Sequence, residues 1–100
     1  MTPYQVFITP RALKEAKELP GHMRQRIRRA IQDLANDPCP ANSKELDVRG
    51  LAQEVRRLRL DQWRVVYAIT ERDAIVDVLA VRRRPPYDYG DLNALLGELL

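Results

Sequence analysis

Apolar positions along this chain change their period partway through. Tyr4-Gln5-Val6-Phe7-Ile8 is a short β-prone run closed by Thr9-Pro10. Thr9 is placed to cap a helix with Pro10 at its first position. From Arg11 to Leu19, residues Ala12, Leu13, Ala16 and Leu19 share one helical stripe, with Lys14, Glu15, Lys17 and Glu18 outside it. Pro20-Gly21 ends that segment. Met23, Ile27, Ala30, Ile31 and Leu34 then repeat at helical spacing and predict a longer helix, stopped by Asn36-Asp37-Pro38-Cys39-Pro40. The tight joint makes the two helices antiparallel neighbours.

Residues 36–53 read as a long polar connection with weak periodicity, after which the period becomes two. Val55 to Leu60 alternates, Asp61-Gln62 makes a turn, and Trp63 to Ile69 is strongly β-prone. Thr70 to Asp73 is the next turn, and Ala74 to Val81 a third strand of an antiparallel meander. An apolar tail, Leu92 to Leu100, predicts a short helix. The order β-α-α-β-β-β, with that short C-terminal helix, is α+β: two N-terminal helices packed on a small, mainly antiparallel sheet, in a single domain spanning 1–100. Val6, Ile8, Leu13, Ala16, Ile27, Ile31, Leu34, Leu58, Val65, Val76 and Val78 are the expected core. A one-residue slip exchanges the faces of a strand, so alternation alone leaves open which face meets the helices.

Composition narrows the class. One hundred residues, 45% hydrophobic and 31% charged, suit one small core rather than a disordered chain. No apolar run is long enough to span a bilayer, and Met1-Thr2-Pro3-Tyr4-Gln5 lacks the features of a secretory leader, so a cytoplasmic protein with no membrane partner is expected. A lone Cys39 excludes an internal disulfide and a cysteine-rich zinc site. The 17 basic residues face 14 acidic ones, for a net charge of +3. Three of the acids, Asp88, Asp91 and Glu98, lie beyond the last arginine, so the body of the chain is more basic still. Arginine dominates over lysine, which favours a phosphate-bearing partner.

The candidate chemistry is an arginine constellation. Arg57 and Arg59 are two apart on a predicted strand and project to one face, with Arg56, Leu58 and Leu60 on the other. If Leu58 and Leu60 meet the core, Arg57 and Arg59 meet solvent. Arg64 opens the neighbouring strand, and Arg82, Arg83 and Arg84 end the one after. Adjacent strands would gather these arginines into a positive field suited to a phosphodiester. Tyr87 and Tyr89 follow and could stack on a base or deliver a proton. The plainer reading is a solvated strand face whose arginine stems cover apolar surface. Trp63 and Tyr67 read as sheet-packing residues, Cys39 as a loop thiol and His22 as a joint residue without a visible partner. Asp61, Asp73 and Asp77 lack metal-ligand spacing, and no glycine-rich phosphate loop is present.

Several short patterns recur in one order: Tyr4-x-Val6, Pro10-x-Ala12-x-Lys14, Leu34-Ala35-x-x-Pro38, Lys44-x-Leu46, Val55-Arg56-Arg57-Leu58-Arg59, Trp63-Arg64-Val65-Val66-Tyr67 and Val78-Leu79-Ala80-Val81 before an arginine cluster. Over residues 4–89 this resembles the RelE/ParE superfamily of toxins from type II toxin–antitoxin modules. The resemblance implies a toxin neutralised by a cognate antitoxin. In RelE-like members it implies a metal-independent, cofactor-free endoribonuclease that cuts translated mRNA at the ribosome and so halts translation. By position Arg57, Arg59, Arg64, Arg84 (or Arg83) and Tyr89 or Tyr87 match the catalytic set. Arg64 and Arg84 would stabilise the phosphate, Arg57 and Arg59 would position substrate and neutralise charge, and Arg56, Arg82 and Arg83 would contact the RNA backbone.

Two departures qualify the match. RelE carries lysines where this chain has Arg57 and Arg59, and arginine is a poor proton shuttle because its pKa exceeds about 12. The general base then falls to Tyr89 or Tyr87. The Pro-Pro-Tyr-Asp-Tyr ending also differs from RelE's basic tail. The alternatives are a ParE-like inhibitor of DNA gyrase without nuclease activity, and a degenerate toxin that only binds antitoxin.

Overall fold

The computed structural model describes residues 3–46 and 53–83. Strand β1 (Gln5–Ile8) leads through Thr9 into helix α1 (Pro10–Lys17), and helix α2 (Gly21–Asp33) follows. Strands β2 (Ser43–Leu46), β3 (Glu54–Leu60), β4 (Trp63–Thr70) and β5 (Ile75–Arg83) complete one five-stranded sheet, with a 3-10 turn at Glu71–Asp73 between β4 and β5. The spatial order is β1-β5-β4-β3-β2. β1 runs parallel to β5, and the other pairs are antiparallel. The α+β class and the helix pair therefore stand as expected. The predicted C-terminal helix lies outside the described residues.

Local chemistry sets the element ends. The Thr9 hydroxyl accepts from the Ala12 N–H at 3.2 Å, with Pro10 in the first turn, so the predicted cap forms. Helix α1 stops at Lys17, two residues short of the expected Leu19, because Glu18 already serves as the C-cap. Leu19 is nonetheless buried in the joint. At the other end of the sheet, Asp61 turns the β3–β4 hairpin with φ 53°, a left-handed conformation that aspartate tolerates.

The core divides by sheet face. Met23, Ile27 and Ile31 of α2 and its C-cap Leu34, with Ala12 of α1, pack on Leu58, Val65, Tyr67, Ile69, Val76, Val78 and Val81. The opposite face holds a second buried cluster of Val55, Val66, Ala68, Leu79 and Ala80. Strands β4 and β5 are thus buried on both faces, consistent with their unbroken apolar runs.

Three expectations need correction. The connection across 36–53 contains β2, an edge strand of the sequence Ser-Lys-Glu-Leu, too short and too polar to alternate visibly. Ile8 and Leu13, expected in the core, are 39% and 42% exposed. Both border a groove between β1 and the helix pair that no described element fills. His22 lies not in the joint but in the first turn of α2, exposed.

Candidate functional site

The arginines assemble through strand register. In the β3–β4 hairpin Arg59 stands opposite Arg64 and Arg57 opposite Val66. Val66 belongs to the cluster on the face away from the helices, so Arg57, Arg59 and Arg64 are on that far face too. Across the next ladder Arg64 stands opposite Arg82.

That last pairing depends on a bulge. Val66 pairs with Ala80 but Tyr67 with Val78, leaving Leu79 as an extra residue. Before the bulge the even residues Val76 and Val78 face the helices, whereas after it the odd residue Val81 does. Without the bulge Arg82 would start on the helix face. With it, Arg59, Arg64 and Arg82 form one cross-strand row. Directly opposed like charges destabilise a sheet, so the row is a strain that an anion would relieve.

Arg64 is the centre of the row and is only 6% exposed. Its Nη1 donates to the carbonyl oxygens of Asp61 and Trp63, each at 2.9 Å. No carboxylate pairs with it among the described residues. Among the described residues this buried guanidinium is held by carbonyl dipoles and has no counter-ion, and a fixed cation in a water-poor setting is strongly attractive to an anion. The turn that holds it is itself secured, because Asp61 forms an ion pair with Arg26 of α2.

The flanking arginines are held differently. Arg59 is exposed, and its backbone is clasped by Asn42: its N–H donates to the Asn42 carbonyl at 2.9 Å, and Asn42 Nδ2 donates to its carbonyl at 2.9 Å. Arg82 Nε lies 3.5 Å from Glu15 Oε2 of α1. Arg83, opposite Trp63, donates to Gln62 Oε1 at 3.2 Å. Arg84, Tyr87 and Tyr89 lie outside the described residues.

Arg56 stands apart from the row. It shares the helix face with Tyr67, its cross-strand neighbour. Its Nε donates to Ser43 Oγ at 3.0 Å and its Nη1 to Glu54 Oε2 at 2.5 Å. Tyr67 donates its hydroxyl proton to the Pro38 carbonyl at 2.7 Å, and burial pushes its phenol pKa up. Cys39 is exposed with its thiol Sγ 3.9 Å from Glu54 Oε2, and desolvation raises its pKa, the opposite of what an activated nucleophile needs. This network ties the 37–43 loop to the sheet and so holds the Asn42 clasp. Glu15, Asp61 and Asn42 are supports that the linear sequence does not mark.

Among the described residues no group of three His, Cys, Asp or Glu side chains could hold a metal. No helix there is long and apolar enough to cross a membrane. The groove noted above has a volume of about 600 Å³, with Ile8, Leu13, Ala16, Ile27 and Ile31 among its apolar walls. Lys17, Arg24 and Arg28 also line it, and no acidic side chain does so among the described residues.

Comparison with known proteins agrees with this architecture. Residues 6–85 match the family model described as the ParE toxin of the type II toxin–antitoxin system parDE. A curated protein of Methanocaldococcus jannaschii, named as the toxin RelE1, is 30% identical over 83 residues, covering 81% of this chain and 90% of that protein. The archaeal RelE–RelB complex of Pyrococcus horikoshii OT3 superposes with a TM-score of 0.76 at 26% identity, over 87% of this chain and 100% of that one. Isolated Escherichia coli RelE superposes with a TM-score of 0.66 at 20% identity, over 97% and 99%, a likeness of fold. A cross-strand arginine row on a helix-backed sheet, a family match over most of the length and a toxin relative at 30% identity lead to one conclusion: the chain belongs to the RelE/ParE family of type II toxin–antitoxin toxins.

Proposed function

We propose that this toxin is a metal-independent endoribonuclease that cuts translated mRNA at the ribosome. The carrying observation is Arg64, a buried cation without a carboxylate partner among the described residues, centred between Arg59 and Arg82. RNA phosphate supplies the missing negative charge. In the reaction the ribose 2′-oxygen bonds to the adjacent phosphorus and the bond to the 5′-oxygen breaks. The 2′ proton passes to a base, and an acid protonates the leaving oxygen. Arg64 Nη1 is engaged by the turn, which leaves Nε and Nη2 to stabilise the crowded phosphate. Arg57 and Arg59 position the strand and neutralise its charge, Arg84 completes the phosphate clamp, and Tyr89 or Tyr87 acts as the base. Incubating antitoxin-free protein with programmed ribosomes and mapping new 5′ ends tests this reading. Discrete cuts support it, and intact message with folded protein counts against it.

The match to a ParE family model favours a second reading, inhibition of DNA gyrase without RNA cleavage. A supercoiling assay separates the two: gyrase inhibition with intact mRNA selects the second.

The partner in either case is an antitoxin. The Pyrococcus horikoshii toxin is known in complex with its RelB, and the groove over Ile8, Leu13 and Ile27 gives this chain a fitting surface. Its apolar walls and its Lys17, Arg24 and Arg28 suit an amphipathic helix with acidic flanks. Leu13→Asp places a charge in that groove. It should abolish neutralisation by antitoxin while leaving toxicity in place.

A further inference from the structure

Strand β1 covers the edge of β5 only from Ile75 to Val78. Beyond that point no strand of the described residues covers the edge, and the chain entering α1 takes its place. The Thr9 N–H donates to the Val78 carbonyl at 3.0 Å, and its hydroxyl donates to the Leu79 carbonyl at 3.4 Å. Two turns of helix later, Glu15 Oε1 accepts the Val81 N–H at 3.0 Å. The other oxygen of the same carboxylate faces Arg82 Nε at 3.5 Å. Both side chains are mostly buried, at 21% and 26% exposure for Arg82 and Glu15.

We propose that Glu15 is a positioning residue for the arginine row: its carboxylate stands in for the missing strand at the β5 edge and thereby sets the direction of the Arg82 guanidinium beside Arg64. The Val81 N–H alone needs only a neutral acceptor. A carboxylate adds an ion pair on the adjacent residue, and it does so where the bulge has just turned Arg82 to the far face. One side chain of α1 thus fixes both the end of β5 and the orientation of a guanidinium in the row. Glu15 touches no substrate in this account and acts through Arg82.

The proposal rests on the nuclease reading for its kinetic arm but not for its structural arm. Glu15→Gln keeps an oxygen for Val81 and removes the charge facing Arg82. In the free protein this variant should retain Val81 amide protection while shifting the Arg82 Nε–Hε resonance. It should also bind single-stranded RNA as tightly as the parent or more tightly, because a positive patch has lost an acid. In ribosome-dependent cleavage kcat should fall about tenfold or more with KM unchanged or lower, since misaligned groups cost turnover rather than binding. Combining Glu15→Gln with Arg82→Ala should be no worse than Arg82→Ala alone.

An unshifted Arg82 resonance, a full kcat in Glu15→Gln, or additive losses in the double variant would each overturn the proposal. So would a kcat loss accompanied by loss of Val81 protection, which marks a merely structural role. If the parent protein cleaves nothing, the nuclease reading fails by itself. The resonance and RNA-affinity measurements then still decide the role of Glu15, an unchanged resonance or weakened RNA binding counting against it.

Discussion

Arg64 and Asp61 are joined through the main chain: Nη1 of the arginine lies 2.9 Å from the aspartate carbonyl, while the aspartate side chain pairs with Arg26 on the helix layer. The β3–β4 turn therefore links α2 to a guanidinium on the far face of the sheet.

Arg64→Ala removes the donor for two carbonyls at a nearly inaccessible position. Losing a part-buried hydrogen bond to a charged donor costs about 1.5–3 kcal/mol. The same change should lower cleavage about 100-fold to 1000-fold, the usual scale for loss of a fixed charge-stabilising donor. Arg64→Lys retains a charge but cannot span carbonyls and phosphate together, so stability should recover further than activity. Urea denaturation beside initial cleavage rates checks both halves.

Ala74 closes the 3-10 turn with φ 54° and ψ 50°, in the left-handed region that a Cβ disfavours. Its backbone is otherwise engaged, the N–H with Glu71 and the carbonyl with Gln5. Ala74→Gly should therefore stabilise the protein by about 1 kcal/mol by relieving that strain. Such a gain corresponds to roughly 4–8 °C in Tm for a chain of this size. Calorimetry on the pair of proteins measures it directly.

Burial alone raises the pKa of Asp77, which stands opposite Phe7 and Ala68 on the far face. The folded state holds this proton to a higher pH than the unfolded chain does. Stability should thus be free of the burial penalty below the unfolded pKa and should fall as pH rises through the folded one. Asp77→Asn should remove that part of the decline and raise Tm at neutral pH. Thermal melts of both proteins across the acid range test the sign.

The fold was legible in the sequence where one period dominated a segment. The α2 stripe of Met23, Ile27, Ile31 and Leu34, the Thr9-Pro10 cap and the β3–β4 hairpin appear where the pattern places them. Strand β2 was hidden because four polar-rich residues at a sheet edge bury too little to impose alternation. Leu13 lies on the apolar stripe of α1, yet periodicity cannot distinguish a core contact from the wall of an open groove. The placement of Arg57 and Arg59 on one face followed from alternation, whereas that of Arg64 is set by the hairpin register in a strand whose apolar run does not alternate. That of Arg82 did not follow from alternation either, because the bulge at Leu79 reverses the parity of β5 and leaves no mark in a run of apolar residues. Glu15 was hidden for a different reason: its role is set by where β1 ends against β5, which is tertiary information.

In the proposed nuclease reading the far-face arginine row receives the phosphate of the cleaved RNA. The most direct measurement compares ribosome-dependent cleavage by Arg59→Ala with that by Arg72→Ala, each lacking one positive charge. Arg59 lies in the row beside Arg64, and Arg72 in the exposed turn beyond the opposite end of β4. A site-specific role predicts a loss of about 100-fold for Arg59→Ala. General charge effects predict a change within about twofold for Arg72→Ala. Equal losses in the two variants, or full cleavage by Arg59→Ala, would contradict it.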